Sequence, residues 1–392
     1  MKKTFAEKFP WMFTSSFPWI FFSIIALIAS VHRIILGEGS FNNYLIFERS
    51  FDHLISNVNL YVAYPEEHYD LYKYSPTFAL FMAPFSLLPT WLGVTLWNLL
   101  NMILPVWAVS KLKIPQKQKT FILLIVFIEL LSSVQNAQSN GIMLGLIIGA
   151  FACFENQKPV MALMLICFGF YIKLFAAAAA LLLLFYPQKI KSILAGTFFV
   201  VLFAVLPLVV ISWESLSTQY ENWLLLLGND PAHGLNFSFM TLLERTVGIH
   251  AGDIYFLAPG AVLLMLPLLR VKQYASFNFR FLYLCSVLIW VVIFNHKAES
   301  PTYCIAMGGI AIWYVMGEKN ALRNTIMILA YLLVALSPTD IFPPYVRIHF
   351  LQPYALKALM PVVIWFIITK DLLFRKYLPA VAEDESQKTQ TA

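Results

Sequence analysis

The sequence predicts an all-α fold, a polytopic transmembrane helical bundle of about twelve crossings. Of its 392 residues, 60% are hydrophobic and only 12% are charged, whereas soluble domains carry about 25% charged residues. Apolar stretches of roughly 13 to 20 residues recur from Pro18 to Phe374, and the longer ones suffice to cross a bilayer. We therefore predict one integral membrane domain over residues 1–382, followed by a disordered cytoplasmic tail over residues 383–392.

Each apolar stretch is assigned one span. The predicted spans are residues 18–36, 90–110, 120–134, 140–154, 160–172, 174–186, 193–212, 254–270, 280–295, 302–316, 323–337 and 356–374. The first stretch is too long for the apolar core of a signal peptide and ends in His32 and Arg33, so it is kept as a span. The shorter segment 77–88 precedes Pro89 and predicts a re-entrant or interfacial helix.

The charged residues are sorted across the predicted membrane. With the N-terminus inside, the basic clusters share one side, as cytoplasmic loops do: Lys111, Lys113, Lys117, Lys119, Lys189, Lys191, Arg270, Lys272, Arg280, Lys319, Arg323, Arg375 and Lys376. The two long outer segments, residues 37–76 and 213–253, are rich in carboxylates. This pattern predicts cytoplasmic N- and C-termini in the plasma (inner) membrane, and it gives no indication of nucleic-acid binding.

Ionisable groups in or beside the spans are the first candidates for function, because charge is costly in a bilayer. Glu129 is interpreted first as an interhelical hydrogen-bond partner. Lys173, between two thin spans, either extends to the interface or holds a lipid phosphate. The four cysteines lie in apolar runs and match no metal or disulfide framework. We expect no cofactor and assign no metal ligands.

Three outer segments concentrate polar residues. The loop Asn295–Pro301 contains His296, Lys297 and Glu299, which form either a local salt bridge or a proton-transfer or phosphate-binding cluster. The amides of Gln135–Gly141 either cap a helix or bind a polyol. The tyrosines of the first outer loop form either an interfacial belt or a sugar-stacking platform.

Together these segments resemble glycosyltransferase family 87, a family of GT-C class membrane enzymes similar to polyprenol-phosphate-mannose-dependent mannosyltransferases. The residues that carry the resemblance are Leu60-Tyr61, Tyr72–Thr77 (family pattern Y-x-Y-P-P), Ala83-Pro84, Leu88-Pro89, Leu96-Trp97, Gln138–Gly141 (G-Q-x-N), Ile172–Phe175 (I-K-x-x-P), Asn236–Ser238 (N-Q-S) and Glu299–Pro301 (S-P). Their order along the chain makes the resemblance more specific than any single motif.

The resemblance implies transfer of a mannose-like hexose from a polyprenol-phosphate donor to a lipid or glycan acceptor on the outer face, among membrane lipids and without a nucleotide sugar. Lys173 or Lys297 would neutralise the leaving phosphate. The other substrate-binding candidates that it implies are Asn43, Lys73, Tyr74, Gln138, Asn140 and Asn236.

The general base is the point at which this sequence departs from the family. Counted without gaps from Tyr61, the family's first-loop aspartate falls at Asn43, and an amide cannot take up a proton at neutral pH. The replacement candidates are Glu48 and Asp52, then His296 and Glu299. Two other functions stay open: a lipid-linked sugar flippase or secondary transporter, for which twelve crossings is a familiar number, and a non-enzymatic assembly partner.

Overall fold

The computed structural model describes residues 5–229 and 235–377, and within these ranges the chain forms helices and no strand. Each of the predicted spans coincides with helix, because a helix satisfies the backbone hydrogen bonds of an apolar segment within the segment itself. The predicted tail over residues 383–392, and Asp230 of the second outer segment, lie outside the described residues.

The described residues form helices of very different lengths. The longer ones are Phe17–Leu36, Asn42–Ile55, Thr90–Ser110, Gln116–Gln135, Asn140–Glu155, Pro159–Ile172, Leu174–Phe185 (3₁₀), Lys189–Val205, Trp213–Asn229, Phe239–Val247, Ile254–Met265, Phe277–Ile293, Tyr303–Met316, Ala321–Ala330 and Leu359–Phe374. Short 3₁₀ or π turns extend several of them, among them Leu206–Val209, Leu266–Leu269, Tyr331–Leu336 and Leu356–Ala358.

Four helices are long and apolar enough to cross a membrane within the described ranges. They are Phe17–Leu36, Thr90–Ser110, Gln116–Gln135 and Lys189–Val209. Other predicted spans, including Asn140–Glu155, Pro159–Ile172 and Phe277–Ile293, correspond to apolar helices of 10–17 residues. A polytopic membrane bundle therefore agrees with the structure, and the number of twelve crossings stays a prediction.

The segment predicted as one re-entrant or interfacial helix consists of two short helices, Pro76–Phe81 and Ala83–Ser86. Pro84 explains the break, because proline has no N–H to donate to the carbonyl four residues earlier. The first of these helices is capped by Ser75, whose hydroxyl accepts a hydrogen bond from the Phe78 N–H at 3.1 Å.

The described chain divides into two compact units. The first comprises Met1–Ala177 and Ile190–Ala232, and the second comprises Ala178–Lys189 and His233–Ala392. The single membrane domain over residues 1–382 stays a prediction.

In the first unit, close packing of two helices determines where the polar residues lie. Gly141, Gly145 and Gly149 recur every four residues on the helix Asn140–Glu155 and therefore share one face. A Cβ at Gly145 would lie 2.8 Å from the Leu104 carbonyl carbon, and a Cβ at Gly149 would lie 2.6 Å from the Trp107 ring. Small residues of this kind let membrane helices approach closely. They place the N-terminus of this helix directly against Thr90–Ser110.

The second unit has a similar core. The helices Phe277–Ile293 and Tyr303–Met316 are buried along most of their length. Gly309 permits their contact, because a Cβ there would lie 2.8 Å from the Cys285 carbonyl oxygen. The helix Leu359–Phe374 packs on this pair through the buried Trp365, whose ring centroid is 5.1 Å from that of Phe294.

Candidate functional site

The first polar site is organised around the turn between the helices Gln116–Gln135 and Asn140–Glu155. Three consecutive carbonyl groups of this turn accept hydrogen bonds from three separate helices. Arg33 Nε donates to Gln135, Asn43 Nδ2 donates to Asn136 at 2.9 Å, and Trp97 Nε1 donates to Ala137 at 2.9 Å. Ala137 has φ +49°, a left-handed backbone conformation that residues other than glycine rarely adopt. The three hydrogen bonds stabilise this conformation. The turn is therefore rigidly held.

Lys173 is brought to this turn by a bend in the chain. The helix Pro159–Ile172 ends where the Lys173 N–H donates to the Gly169 carbonyl at 2.7 Å, and Lys173 itself is extended. The following residues return towards the helix, and Ala176 would lie 3.2 Å from a Cβ at Gly169. This bend directs the Lys173 ammonium to Asn140, whose Oδ1 accepts its hydrogen bond at 2.6 Å.

Two further side chains complete what we call the Lys173 cluster, defined as Tyr74, Gln138, Asn140 and Lys173. Asn140 is fully buried and donates from Nδ2 to the Oε1 of Gln138, which is also buried. The Lys173 Nζ lies 6.0 Å from the centroid of the Tyr74 ring. The cluster thus combines a half-buried cation, two amides and an aromatic face at a helix N-terminus. This combination suits a phosphate next to a hydroxyl-bearing ring.

The helix Asn42–Ile55 connects this cluster to the first outer loop. Phe47 packs against Tyr74 with ring centroids 4.9 Å apart and against Trp97 at 5.5 Å. Lys73, although adjacent to Tyr74, forms an ion pair with Asp70 at 3.3 Å.

Glu48 lies on another face of the same helix and is buried. Its carboxylate accepts hydrogen bonds from the hydroxyls of Tyr44 at 3.3 Å and Thr90 at 3.2 Å. Burial raises the pKa of Glu48, and the Thr90 hydrogen bond, the Arg49 charge and the Tyr44 hydrogen bond oppose this rise only in part. A carboxyl whose pKa is raised towards neutrality is a stronger base than a solvated one.

Asp52 differs from Glu48 in its exposure. Its side chain is half exposed and forms an ion pair with Arg49 at 3.7 Å. It lies nine residues after Asn43, which is about 14 Å along a helix axis, whereas Glu48 lies about 7.5 Å from Asn43 on the same measure. Asn43 itself contacts the turn that precedes Gln138, so Glu48 is the nearer acid along the helix.

A histidine that the sequence reasoning missed directly follows Asp52 in the chain. His53 Nε2 is 3.0 Å from the Glu67 carboxylate, and its ring stacks on Tyr64 with centroids 3.9 Å apart. The dyad joins the later part of the first outer loop to the helix Asn42–Ile55 within it. The signal available in the sequence was a histidine that shortly precedes a carboxylate-rich segment of the same loop.

The second polar site belongs to the second unit and is built mostly from backbone contacts. Asn236 Nδ2 donates to the His296 carbonyl, and its Oδ1 accepts from the Ser238 N–H at 3.0 Å. The Phe237 N–H donates to the Ala298 carbonyl at 2.9 Å. The side chains of His296 and Glu299 are exposed, and that of Lys297 is partly buried. The structure therefore brings Asn236 to the His296–Glu299 loop.

Sequence reasoning also missed the most deeply buried cation of this second site. Lys357 is only 2% exposed, and its ammonium donates to the Ser300 hydroxyl at 2.9 Å and lies 5.3 Å from the centroid of the Tyr303 ring. The Tyr303 hydroxyl in turn donates to the Phe237 carbonyl. Lys357 was overlooked because it stands at the start of a predicted span, where lysines ordinarily extend to the interface.

Comparison with known proteins identifies the family. The model of glycosyltransferase family 87 matches residues 72–294, which is more than half of the chain. The resemblance drawn from the short motifs is thus confirmed. No curated protein is significantly similar to the chain.

Proposed function

The chain belongs to glycosyltransferase family 87, and we propose that it transfers a mannose-like hexose from a polyprenol-phosphate donor to a lipid or glycan acceptor outside the cytoplasm. Family membership and four helices of membrane-spanning length make it an integral membrane glycosyltransferase. The sorting of basic residues supports an orientation in the plasma (inner) membrane with both termini in the cytoplasm.

The observation that carries the proposal is the contact between Lys173 and Asn140. In the transfer, the acceptor hydroxyl attacks the anomeric carbon, the bond from that carbon to the phosphate oxygen breaks, and the acceptor proton passes to a base. The leaving phosphate gains negative charge as this bond breaks. Lys173 supplies the opposite charge from a position held by Asn140 at 2.6 Å, so little reorganisation is needed when the charge develops.

The neighbouring side chains are assigned to the sugar and the carrier. The amides of Gln138 and Asn140 have donors and acceptors for sugar hydroxyls, and the Tyr74 ring offers a face for stacking. Lys73, Lys297 and Asn236 stay proposed as substrate-binding residues.

For the general base we propose Glu48, with Asp52 as the alternative on the same helix. Glu48 is favoured by its proximity along the helix to Asn43 and by its raised pKa. Its carboxylate would exchange the Tyr44 or Thr90 hydroxyl for the acceptor hydroxyl. Asn43 is assigned a supporting role, because its amide donates to the turn carbonyl of Asn136. His296 and Glu299 are the remaining alternatives for the base.

The test is turnover of a polyprenol-phosphate mannose donor by the purified chain in detergent. We expect Lys173→Met to lower kcat about 100- to 1,000-fold, the usual effect of removing one group that stabilises developing negative charge. Lys173→Arg should retain part of the activity because the cation is kept. Lys191→Met is the matched control, since Lys191 is an exposed lysine of the same unit.

Four results would contradict this proposal or one of its assignments. Donor that is never consumed by the wild-type chain would exclude the transferase. Transport of the lipid-linked sugar across sealed vesicles without a new glycosidic bond would identify a flippase or transporter. Wild-type rates in Lys173→Met would remove the assigned role of the cation, and wild-type rates in both Glu48→Gln and Asp52→Asn would move the base elsewhere.

A further inference from the structure

A cavity of about 240 Å³ lies within the second unit, at one end of its helices. The helices Phe277–Ile293 and Ala321–Ala330 begin there, and Tyr303–Met316 and Leu359–Phe374 end there. The six residues that matter to its chemistry are Trp313, Glu318, Arg323, Asp371, Arg375 and Tyr377. We call it the Arg323 cavity. None of these residues takes part in the proposed glycosyl transfer.

Arg323 is held in place on one wall of this cavity. Its guanidinium stacks on the Trp313 ring at 3.9 Å, and its Nη2 donates to the Trp313 carbonyl. Gly317 makes this position possible, because a Cβ at residue 317 would collide with the guanidinium. The side chain is therefore fixed by stacking and hydrogen bonding before any ligand arrives.

Three buried donors of the cavity wall have no acceptor among the described residues. They are Arg323 Nε, the indole N–H of Trp313 and the hydroxyl of Tyr377. Trp313 is only 3% exposed, so its N–H has little access to bulk water. A buried donor without an acceptor costs about 1 to 3 kcal/mol. Three such donors around one cavity indicate a ligand that carries several acceptor oxygens.

The cavity wall also carries charges of both signs. Arg323 and Arg375 contribute guanidinium groups, and Asp371 and Glu318 contribute carboxylates. A simple anion would be attracted by the first pair and repelled by the second. A zwitterion with a phosphate at one end and an ammonium at the other complements both pairs.

The surroundings of the cavity match a membrane lipid. Leu322 and Phe374, which precede Arg323 and Arg375, are 70% and 76% exposed and would contact acyl chains. Basic pockets between membrane helices are known to take phospholipid headgroups. The volume is below the roughly 300 to 1,000 Å³ of pockets for drug-sized ligands, and so it suits a headgroup.

We propose that the Arg323 cavity binds a phosphoethanolamine group, with its phosphate on Arg323, Arg375 and the Trp313 N–H and its ammonium on Asp371 and Glu318. The source is the headgroup of a membrane phospholipid. Binding stabilises the second unit, because a ligand that binds the folded state alone raises its stability by mass action.

The experiment measures the melting temperature of the full-length chain, delipidated in detergent, as phosphatidylethanolamine, phosphatidylglycerol, phosphatidylcholine or soluble phosphoethanolamine is added. We expect phosphatidylethanolamine to bind at least tenfold more tightly than the other two lipids. Phosphatidylglycerol lacks the ammonium, and the ammonium of phosphatidylcholine has no N–H to donate. A shift of similar size with soluble phosphoethanolamine would support the same headgroup chemistry with a soluble source.

The variants separate the cavity from general lipid effects. Arg323→Gln should weaken binding about tenfold or more, in line with the loss of a charge-assisted hydrogen bond. Trp313→Phe keeps an aromatic ring but removes the indole N–H, and should weaken binding by a smaller factor. This second variant tests the cavity even if Arg323→Gln proves too unstable to measure. Lys319→Gln is the matched control, because this nearby lysine contacts Tyr314 and does not line the cavity. Equal shifts with all three lipids, or unchanged binding in both cavity variants, would overturn the proposal.

Discussion

Lys173 of the first unit and Lys357 of the second unit each donate to a neutral side chain, yet the two polar clusters around them are built differently. Lys173 is half-buried and is held by Asn140, which a second amide orients in turn. Lys357 is almost completely buried, and the segments around it are joined through backbone carbonyl groups. A cation that is held but partly accessible can meet a ligand, whereas a fully buried cation mainly stabilises its surroundings.

The comparison also shows that many polar residues in one stretch of sequence do not by themselves make a preorganised site. The loop Asn295–Pro301 has the densest polar sequence of the outer segments, but the side chains of His296 and Glu299 are exposed. The Lys173 cluster draws its members from three distant segments of the chain, and its side chains bond to one another. Side chains held by other side chains keep their geometry during a reaction.

The largest difference between the two clusters is expected in kcat when Asn140 or Ser300, which accept hydrogen bonds from the two lysines, is replaced. Asn140→Leu preserves the approximate shape of the side chain but removes the amide oxygen that accepts from the Lys173 ammonium, and we expect kcat for sugar transfer to fall about 100-fold. Ser300→Ala removes the hydroxyl that accepts from the Lys357 ammonium, and we expect a loss of about 1 to 3 kcal/mol in the free energy of unfolding with a smaller effect on kcat. Steady-state kinetics and thermal unfolding of both variants provide the measurements.

If Ser300→Ala proved to be the more damaging of the two for transfer at temperatures where it is folded, the catalytic cation would be Lys357. The assignment of the first unit as the phosphate site would then be wrong. Thr90→Ser, which keeps a hydroxyl beside Glu48, serves as the control for a conservative change in the first unit.

An intermediate effect is expected from restoring an acid at position 43. In Asn43→Asp the amide N–H that donates to the Asn136 carbonyl is lost, and a carboxylate faces that carbonyl oxygen instead. We expect the melting temperature to fall by the equivalent of about 1 to 3 kcal/mol, without a gain in kcat. A large rise in kcat would show that position 43 can carry the base, and it would displace Glu48 from that role.

The smallest effect is a pH dependence of stability that Glu48 introduces. Because burial raises the pKa of Glu48 above the ordinary 4.5, the folded state favours the protonated carboxyl. Its contribution to stability is present in full below the unfolded pKa and is lost as the pH rises through the raised folded pKa. Glu48→Gln keeps a neutral hydrogen-bonding side chain, so we expect its melting temperature to gain on the wild type as the pH rises above 4.5.

Melting curves of Glu48→Gln and the wild type between pH 4 and about pH 8 check this expectation. A variant that becomes less stable than the wild type as the pH rises would mean that the carboxylate is stabilised in the folded state. Asp52→Asn is the comparison, because its half-exposed ion pair with Arg49 should contribute less than about 1 kcal/mol at any pH.

The sequence alone determined the apolar helices and their approximate ends, since an apolar segment in lipid has to satisfy its backbone hydrogen bonds within itself. It did not predict the helices Trp213–Asn229 and Phe239–Val247 of the second outer segment. It also led to the family, because short motifs such as Gln138–Gly141 and Ile172–Phe175 stand in a characteristic order. Only the tertiary structure decided which polar side chains meet. Lys173 and Asn140 are 33 residues apart, and Arg33 and Gln135 are 102 residues apart. Contacts at such separations depend on how closely helices pack and where they bend, which no local pattern specifies.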